Sequence, residues 1–241
     1  LAAVILYGRN PVREALRGRR AHQVSDVWAN AGAAREPWLE GVALSVRTGE
    51  EIERHCGSDS HQGICAEAGG YPYVGADDLL TADAPLLVVL DQIQDPHNLG
   101  SICRSAECSG ATGVVIPERR SAEVTPTVCK TSAGAVEHLP VARVRNVADF
   151  LAQAREAGCW CYGASVAEGA VAYDAPDYSG GVALVLGSEG TGLRPRVAAA
   201  CDQLVSLPLR GRIDSLGVSA AAAALLYGIL QSRDASLDKA P

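Results

Sequence analysis

PLLVVLDQIQDPHNLGSICRSAECSG, residues 85–110, decides how the rest of the chain is read. Five apolar residues, Leu86 to Leu90, run without alternation into Asp91. An unbroken apolar run of this length marks a strand buried on both faces, as in a parallel sheet. Asp95-Pro96 initiates a turn, Asn98 is suited to cap a helix, and Gly100 and Ser101 keep the first helical turn slim. Arg104 projects from the N-terminal half of that helix, which ends at Gly110. The stretch is therefore strand, turn, helix.

Downstream the pattern recurs. TGVVIP, LPVARV, CWCYGASV, GVALVLG and QLVSLPL read as strands. TPTVCKTSAGA, VADFLAQAREAG, a short segment after Pro195 and an alanine-rich C-terminal segment read as helices. Such alternation predicts an α/β domain with a parallel sheet covered on both faces. Upstream, GRNPVREALRG predicts a helix with Asn10 as N-cap and Pro11 at the first helical position. VSDVWAN, VALSVR and GICAEA read as strands and EEIERHC as a helix, making a small α/β unit. GGYPYVGADD interrupts the pattern as a linker. The expected organisation is residues 1–70, a linker at 71–83, and a second domain at 84–241.

Composition narrows the function classes. Hydrophobic residues make up 48% of the 241 and charged residues 20%, a globular balance. No apolar run approaches the ~20 residues that span a bilayer. The opening LAAVIL reads as a strand rather than a signal peptide. The eight cysteines contain no C-x-x-C pair, which argues for buried thiols in a cytoplasmic protein and against a zinc site. His97 reads as a turn residue, with no second ligand at metal spacing. A net charge of −7 disfavours indiscriminate binding of polyanions. The first twenty residues nevertheless carry Arg9, Arg13, Arg17, Arg19 and Arg20 against the single acid Glu14, a local phosphate-binding patch.

Ligands of parallel sheets bind outside the carboxyl ends of the strands. Three such ends stand out. The first is the 85–110 stretch. The second is ALVLGSEGTGLRP, where Gly187, Gly190 and Gly192 let a ligand approach the backbone and Glu189 faces the crevice. It is neither a P-loop nor a dinucleotide fingerprint. The third is VSLPLRGRIDSLGVSA, which loops through Ser215 into the alanine helix.

These three segments, in this order and spacing, resemble the three motifs of the SpoU (TrmH-like) RNA ribose 2′-O-methyltransferases, of the SPOUT class. DPHNLGSICRSAECSGA, LVLGSEGTGL and LPLRGRIDSLGVSAAAAALLYG carry the likeness. YGRNPVREAL and HQGICA are similar to the accessory RNA-binding domain of the family's rRNA-guanosine-modifying branch. The resemblance implies a deep trefoil knot in the second domain, a homodimer paired through the knots, and S-adenosyl-L-methionine as methyl donor, with no metal. It places the donor against Leu186, Gly187, Glu189, Leu207, Leu209, Ser215, Leu216, Gly217 and Ser219. It implies catalytic roles for Asn98, Arg104, Glu189 and Ser215, and an RNA substrate, rRNA before tRNA. Arg104 is expected to act as an electrostatic anchor, because a guanidinium stays protonated in proteins. Gly217 stands where the family motif carries an asparagine. A catalytically weakened or inactive RNA-binding paralogue is therefore the competing expectation, with a tRNA 2′-O-methyltransferase as the other alternative.

Overall fold

A computed structural model describes residues 3–213 and 215–237. The strands are β1 (Val4–Tyr7), β2 (Val24–Ala29), β3 (Leu44–Val46), β4 (Ile64–Ala68), β5 (Leu86–Asp91), β6 (Gly113–Pro117), β7 (Val141–Val144), β8 (Cys159–Ala164), β9 (Val171–Ala172), β10 (Gly181–Gly187) and β11 (Gln203–Ser206). The helices are α1 (Arg9–Ala15), α2 (Gly49–Cys56), α3 (Pro96–Cys108), α4 (Pro126–Thr131), α5 (Val147–Glu156), α6 (Pro195–Ala200) and α7 (Val218–Leu237). The short β9 carries no periodic signal in the sequence. Two compact units emerge: Leu1–Pro72 with Glu123–His138, and Tyr73–Ala122 with Leu139–Pro241.

The first unit is a four-stranded sheet in the order β1-β4-β2-β3, antiparallel except for the β2–β3 pair. Leu6, Val12, Ala15, Ile52, Ile64 and Ala66 form its buried interior. A capping box between Thr48 and Glu51 starts α2, and Gly57 in the left-handed region ends it. Gly8, at φ 96°, rather than Asn10, occupies the N-cap of α1, so Asn10 lies inside the first turn. Helix α4 packs on β1.

Arg20 departs from the surface patch expected of it. Its side chain is 1% exposed, and Nε and Nη2 donate to the two carboxylate oxygens of Glu137 at 2.8 and 2.6 Å. Nη1 donates to the Gly69 carbonyl, and the guanidinium lies over the Tyr71 ring. A group so enclosed, with four of its five N–H donors engaged, is not open to a phosphate on the surface. Beside it, burial pushes the Cys129 thiol up to about 12, so it remains protonated next to the cation.

The second unit is a seven-stranded, wholly parallel sheet in the order β7-β6-β5-β10-β8-β11-β9. Every residue of β5 is buried, as the unbroken apolar run requires. Leu87, Val89, Ala183 and Val185 pack with Val147, Phe150, Leu151 and Ala154 of α5 on one face. Strand alternation leaves Val88, Leu90, Leu184 and Leu186 for the opposite face. There α3 and α7 pack on each other and on β6 and β10. Asp95, not Asn98, caps α3: its carboxylate accepts from the His97 amide, and Pro96 follows at N1, where no donor is required.

After β10 the chain folds back as a closed hairpin. Ser188 and Gly192 exchange both backbone hydrogen bonds, at 3.1 and 2.9 Å, and the Ser188 and Thr191 hydroxyls bond at 2.6 Å. Gly190 and Gly192 adopt φ of 84° and 66°, where a side chain would be strained. A Cβ on Gly187 would overlap the Gly192 carbonyl and the Leu193 nitrogen.

Two substitutions test these arrangements. Arg20→Ala strands the buried Glu137 carboxylate and is expected to cost about 3–5 kcal/mol in denaturant unfolding. A loss under about 1 kcal/mol, the range of an exposed pair, would show that the pair carries no structural weight. Gly187→Ala forces the hairpin from β10 and is expected to cost about 1–3 kcal/mol, read as a lower Tm. An unchanged Tm would show that the hairpin yields freely.

Candidate active site

Because all seven strands run parallel, the carboxyl ends of β8, β10 and β11 open onto one edge of the sheet. Their following loops enclose a cleft of about 770 Å³. One wall is the hairpin, Gly187 to Leu193, preceded by Leu186. The second is Leu207, Leu209, Ser215 and Leu216, continuing into Val218, Ala221 and Leu225 of α7. The third is Ala164 to Ala167, after β8. That third wall is absent from the residues singled out in the sequence, although the rule for parallel strand ends would have included it. GASVA has no polar side chain but Ser165 to draw attention.

The chemistry of this lining is mixed. The leucines offer an apolar surface to a flat ring. Between Leu207 and Leu216 the backbone forms no backbone–backbone hydrogen bond among the described residues, leaving amides and carbonyls for a ligand or water. Glu189 sits exposed in the hairpin, and a Cβ on Gly217 would lie 3.7 Å from its Oε1. Gly217 also begins α7, its carbonyl accepting from the Ala221 amide at 3.0 Å.

Of the residues singled out in the sequence, Leu186, Gly187, Glu189, Leu207, Leu209, Ser215 and Leu216 line the cleft together. Gly217 and Ser219 border it without lining it. Asn98 and Arg104 lie on α3, which packs against α7. Asn98 is half-buried, and its amide makes no hydrogen bond among the described residues. Arg104 is exposed and makes no ion pair among them. In the other unit Arg9 pairs with Glu36 and Arg13 with Glu14, whereas Arg17 and Arg19 are exposed and form no ion pair among the described residues. Burial opposes ionisation of Glu14, but His138 and Arg13 together hold its carboxyl below the usual range. Among the described residues no group of three or more His, Cys, Asp and Glu could hold a metal ion. No helix among them is long and apolar enough to cross a membrane.

Known proteins share the sequence and the fold of this chain. Residues 85–227 match the SpoU rRNA Methylase family, and residues 5–74 match the RNA 2′-O ribose methyltransferase substrate-binding family. A putative TrmH family tRNA/rRNA methyltransferase of Bacillus subtilis is 36% identical over 94% of this chain and 95% of its own length. An uncharacterized tRNA/rRNA methyltransferase of Mycolicibacterium vanbaalenii is 39% identical over 95% of this chain and 76% of its own. Among solved structures, the SpoU methyltransferase AviRb of Streptomyces viridochromogenes superposes with a TM-score of 0.80 at 25% identity, covering 97% of this chain and 91% of that one. An AdoMet-bound rRNA methyltransferase of Sinorhizobium meliloti gives 0.79 at 25% identity, covering 95% and 87%. On these matches, which span most of its length, this chain belongs to the SpoU (TrmH-like) family of RNA methyltransferases.

Proposed function

We propose that the protein methylates the 2′-oxygen of a ribose in RNA, large-subunit rRNA in preference to tRNA, using S-adenosyl-L-methionine. The observation that carries this reading is the cleft itself: a glycine-rich hairpin, a leucine lining and a stretch of backbone that makes no backbone–backbone hydrogen bond among the described residues, all at one strand edge. Those features fit a donor with a flat purine and a polar amino-acid tail. Leu186, Leu207, Leu209 and Leu216 would hold the ring, and the backbone near Gly187 and Ser215 the polar groups. When bound, the donor supplies an electrophilic methyl on sulfur. The preference for rRNA rests on the substrate-binding match at residues 5–74. On the same reading the chain around Leu207 to Ser219 would be the segment threaded through the knot, two copies would pair through their knots, and the protein would be cytoplasmic.

The chain's own residues then do three things. Arg104 anchors the ribose and its phosphate and stabilises negative charge growing on the 2′-oxygen. Asn98 and Glu189 orient Arg104 and its surroundings. Ser215 fixes the near edge of the cleft. Alignment of the reacting atoms provides much of the acceleration, and contact with the 2′-hydroxyl limits the substrate to RNA.

Transfer of labelled methyl from S-adenosyl-L-methionine into unmodified rRNA, with mapping of the modified ribose, tests the reading. Label on a base, or only in tRNA, would overturn its finer part. Arg104→Ala is expected to abolish transfer while donor affinity, read by calorimetry, stays within about twofold. Retention of most of the turnover would remove Arg104 from its role.

A weakened RNA-binding paralogue is the second reading, and Gly217 is the observation behind it. Gly217 is absent from the residues with positive φ, and a Cβ there meets only an ordinary contact. Asparagine therefore fits, and is also favoured at a helix N-cap. Gly217→Asn is expected to raise single-turnover methylation, by on the order of 10²-fold if a positioned amide is what the site lacks. A sharp loss instead would mean that Gly217 meets a requirement of its own.

A further inference from the structure

Asp91 is among the few charged residues buried in this protein, at 1% exposure, and the reading of the cleft has so far given it no task. It ends β5, directly opposite Gly187 in the β5–β10 ladder. Gly187 is the first residue of the hairpin. The carboxylate of Asp91 meanwhile reaches Arg194, the residue that follows the hairpin: Oδ2 accepts from the Arg194 backbone amide at 2.9 Å. Oδ1 accepts from Arg194 Nε at 2.8 Å and lies 2.6 Å from Nη2. One residue therefore sits at both ends of the segment 187–194. It also stands at the start of the turn that leads through Gln92 and Asp95 into α3.

We propose that Asp91 and Arg194 are a positioning pair that holds the glycine hairpin in its donor-binding shape; this rests on the reading of the cleft as the S-adenosylmethionine site. Neither residue lines the cleft. They act through Gly187 to Leu193, which do. The hairpin is closed internally by the Ser188–Gly192 bonds, but those bonds fix only its shape. Its placement depends on its two exits: one is held by the ladder at Gly187, and the other by the carboxylate at Arg194. The asymmetry of exposure matters, since the Asp91 side chain is fully buried while that of Arg194 is 45% exposed. Removing the Arg194 guanidinium leaves a buried carboxylate with a backbone amide but no cation, whereas removing the charge from Asp91 leaves an arginine that water can solvate.

That asymmetry separates positioning from mere stability. Three variants are compared with the wild type: Arg194→Ala, Asp91→Asn and the double variant. The readouts are Tm, the Kd for S-adenosylmethionine by calorimetry, and kcat at saturating donor. Arg194→Ala is expected to lower Tm and to weaken donor binding about tenfold, a charged hydrogen-bond pair's worth. In the double variant no buried charge is left unpaired, so Tm recovers at least half of the loss. Donor affinity stays about tenfold weak, because the exit still lacks the guanidinium contact and is held through the backbone amide of residue 194 alone. In both variants kcat at saturating donor falls by less than Kd rises. If affinity recovers together with Tm, or if Arg194→Ala binds within twofold of the wild type, the pair is only structural and the proposal fails. A wild-type protein that binds no S-adenosylmethionine would instead overturn the reading of the cleft, a result visible before any variant is made.

Discussion

The flush ending of β5 against β10, Asp91 beside Gly187, is the constraint on which the functional half of the molecule depends. These are two central strands of a sheet buried on both faces. Their side chains are committed to the core, which leaves only the strand ends free to meet a ligand. Because neighbouring strands run in the same direction, the free ends gather at one edge. Two consequences follow. The hairpin after β10 must turn back over its own strand at once, which glycine at 187, 190 and 192 allows. The turn after β5 must leave in the other direction, toward α3, and Gln92 takes φ of 65° to do so. The catalytic candidates on α3 and the donor cleft are thus set by adjacent strands of one ladder.

Much of this is legible in the sequence because burial imposes patterns. An apolar run such as Leu86 to Leu90 suits little but a strand covered on both faces, and glycines after a strand announce a close approach. What stays illegible depends on partners distant along the chain. Asn10 and Asn98 are reasonable caps by residue type, yet Gly8 and Asp95 take those places, since a helix begins where the preceding backbone can turn. Val171 and Ala172 form a strand only because β11 lies beside them. Arg20 looks like its neighbours in an arginine-rich stretch. Only a carboxylate 117 residues further on, Glu137, distinguishes it.

The arginine-rich stretch therefore divides by burial rather than by charge. The pair between Arg20 and Glu137 is sealed, and its disruption would cost more than any surface contact could return. The pairs of Arg9 with Glu36 and Arg13 with Glu14 involve arginines 50% and 38% exposed. Such pairs contribute ~0–1 kcal/mol. Arg17 and Arg19 are exposed and form no ion pair among the described residues, so the four differ from Arg20 in remaining open to solvent.

Helix α7 shows why the alanine-rich segment is so long and so plain. Val218, Ala221 and Leu225 reach the cleft at the carboxyl ends of the strands. Toward its other end, Arg233 donates to the carbonyls of Tyr178, Gly180 and Pro85, just before β10 and β5 begin. The helical rise from Val218 to Arg233 amounts to about 23 Å. The seven residues of β10 span about the same. The helix is thus a strut cut to the height of the sheet and running against it, with Ala222, Leu225, Leu226 and Ile229 buried along it. Small side chains let it lie close; Gly228 has no room for a Cβ beside the Tyr173 ring. A strut fixed at its far end cannot slide to admit a ligand. On that side of the cleft, the described residues from Leu207 to Leu216 make no backbone–backbone hydrogen bond, so it is they rather than the helix that leave polar backbone groups to a ligand.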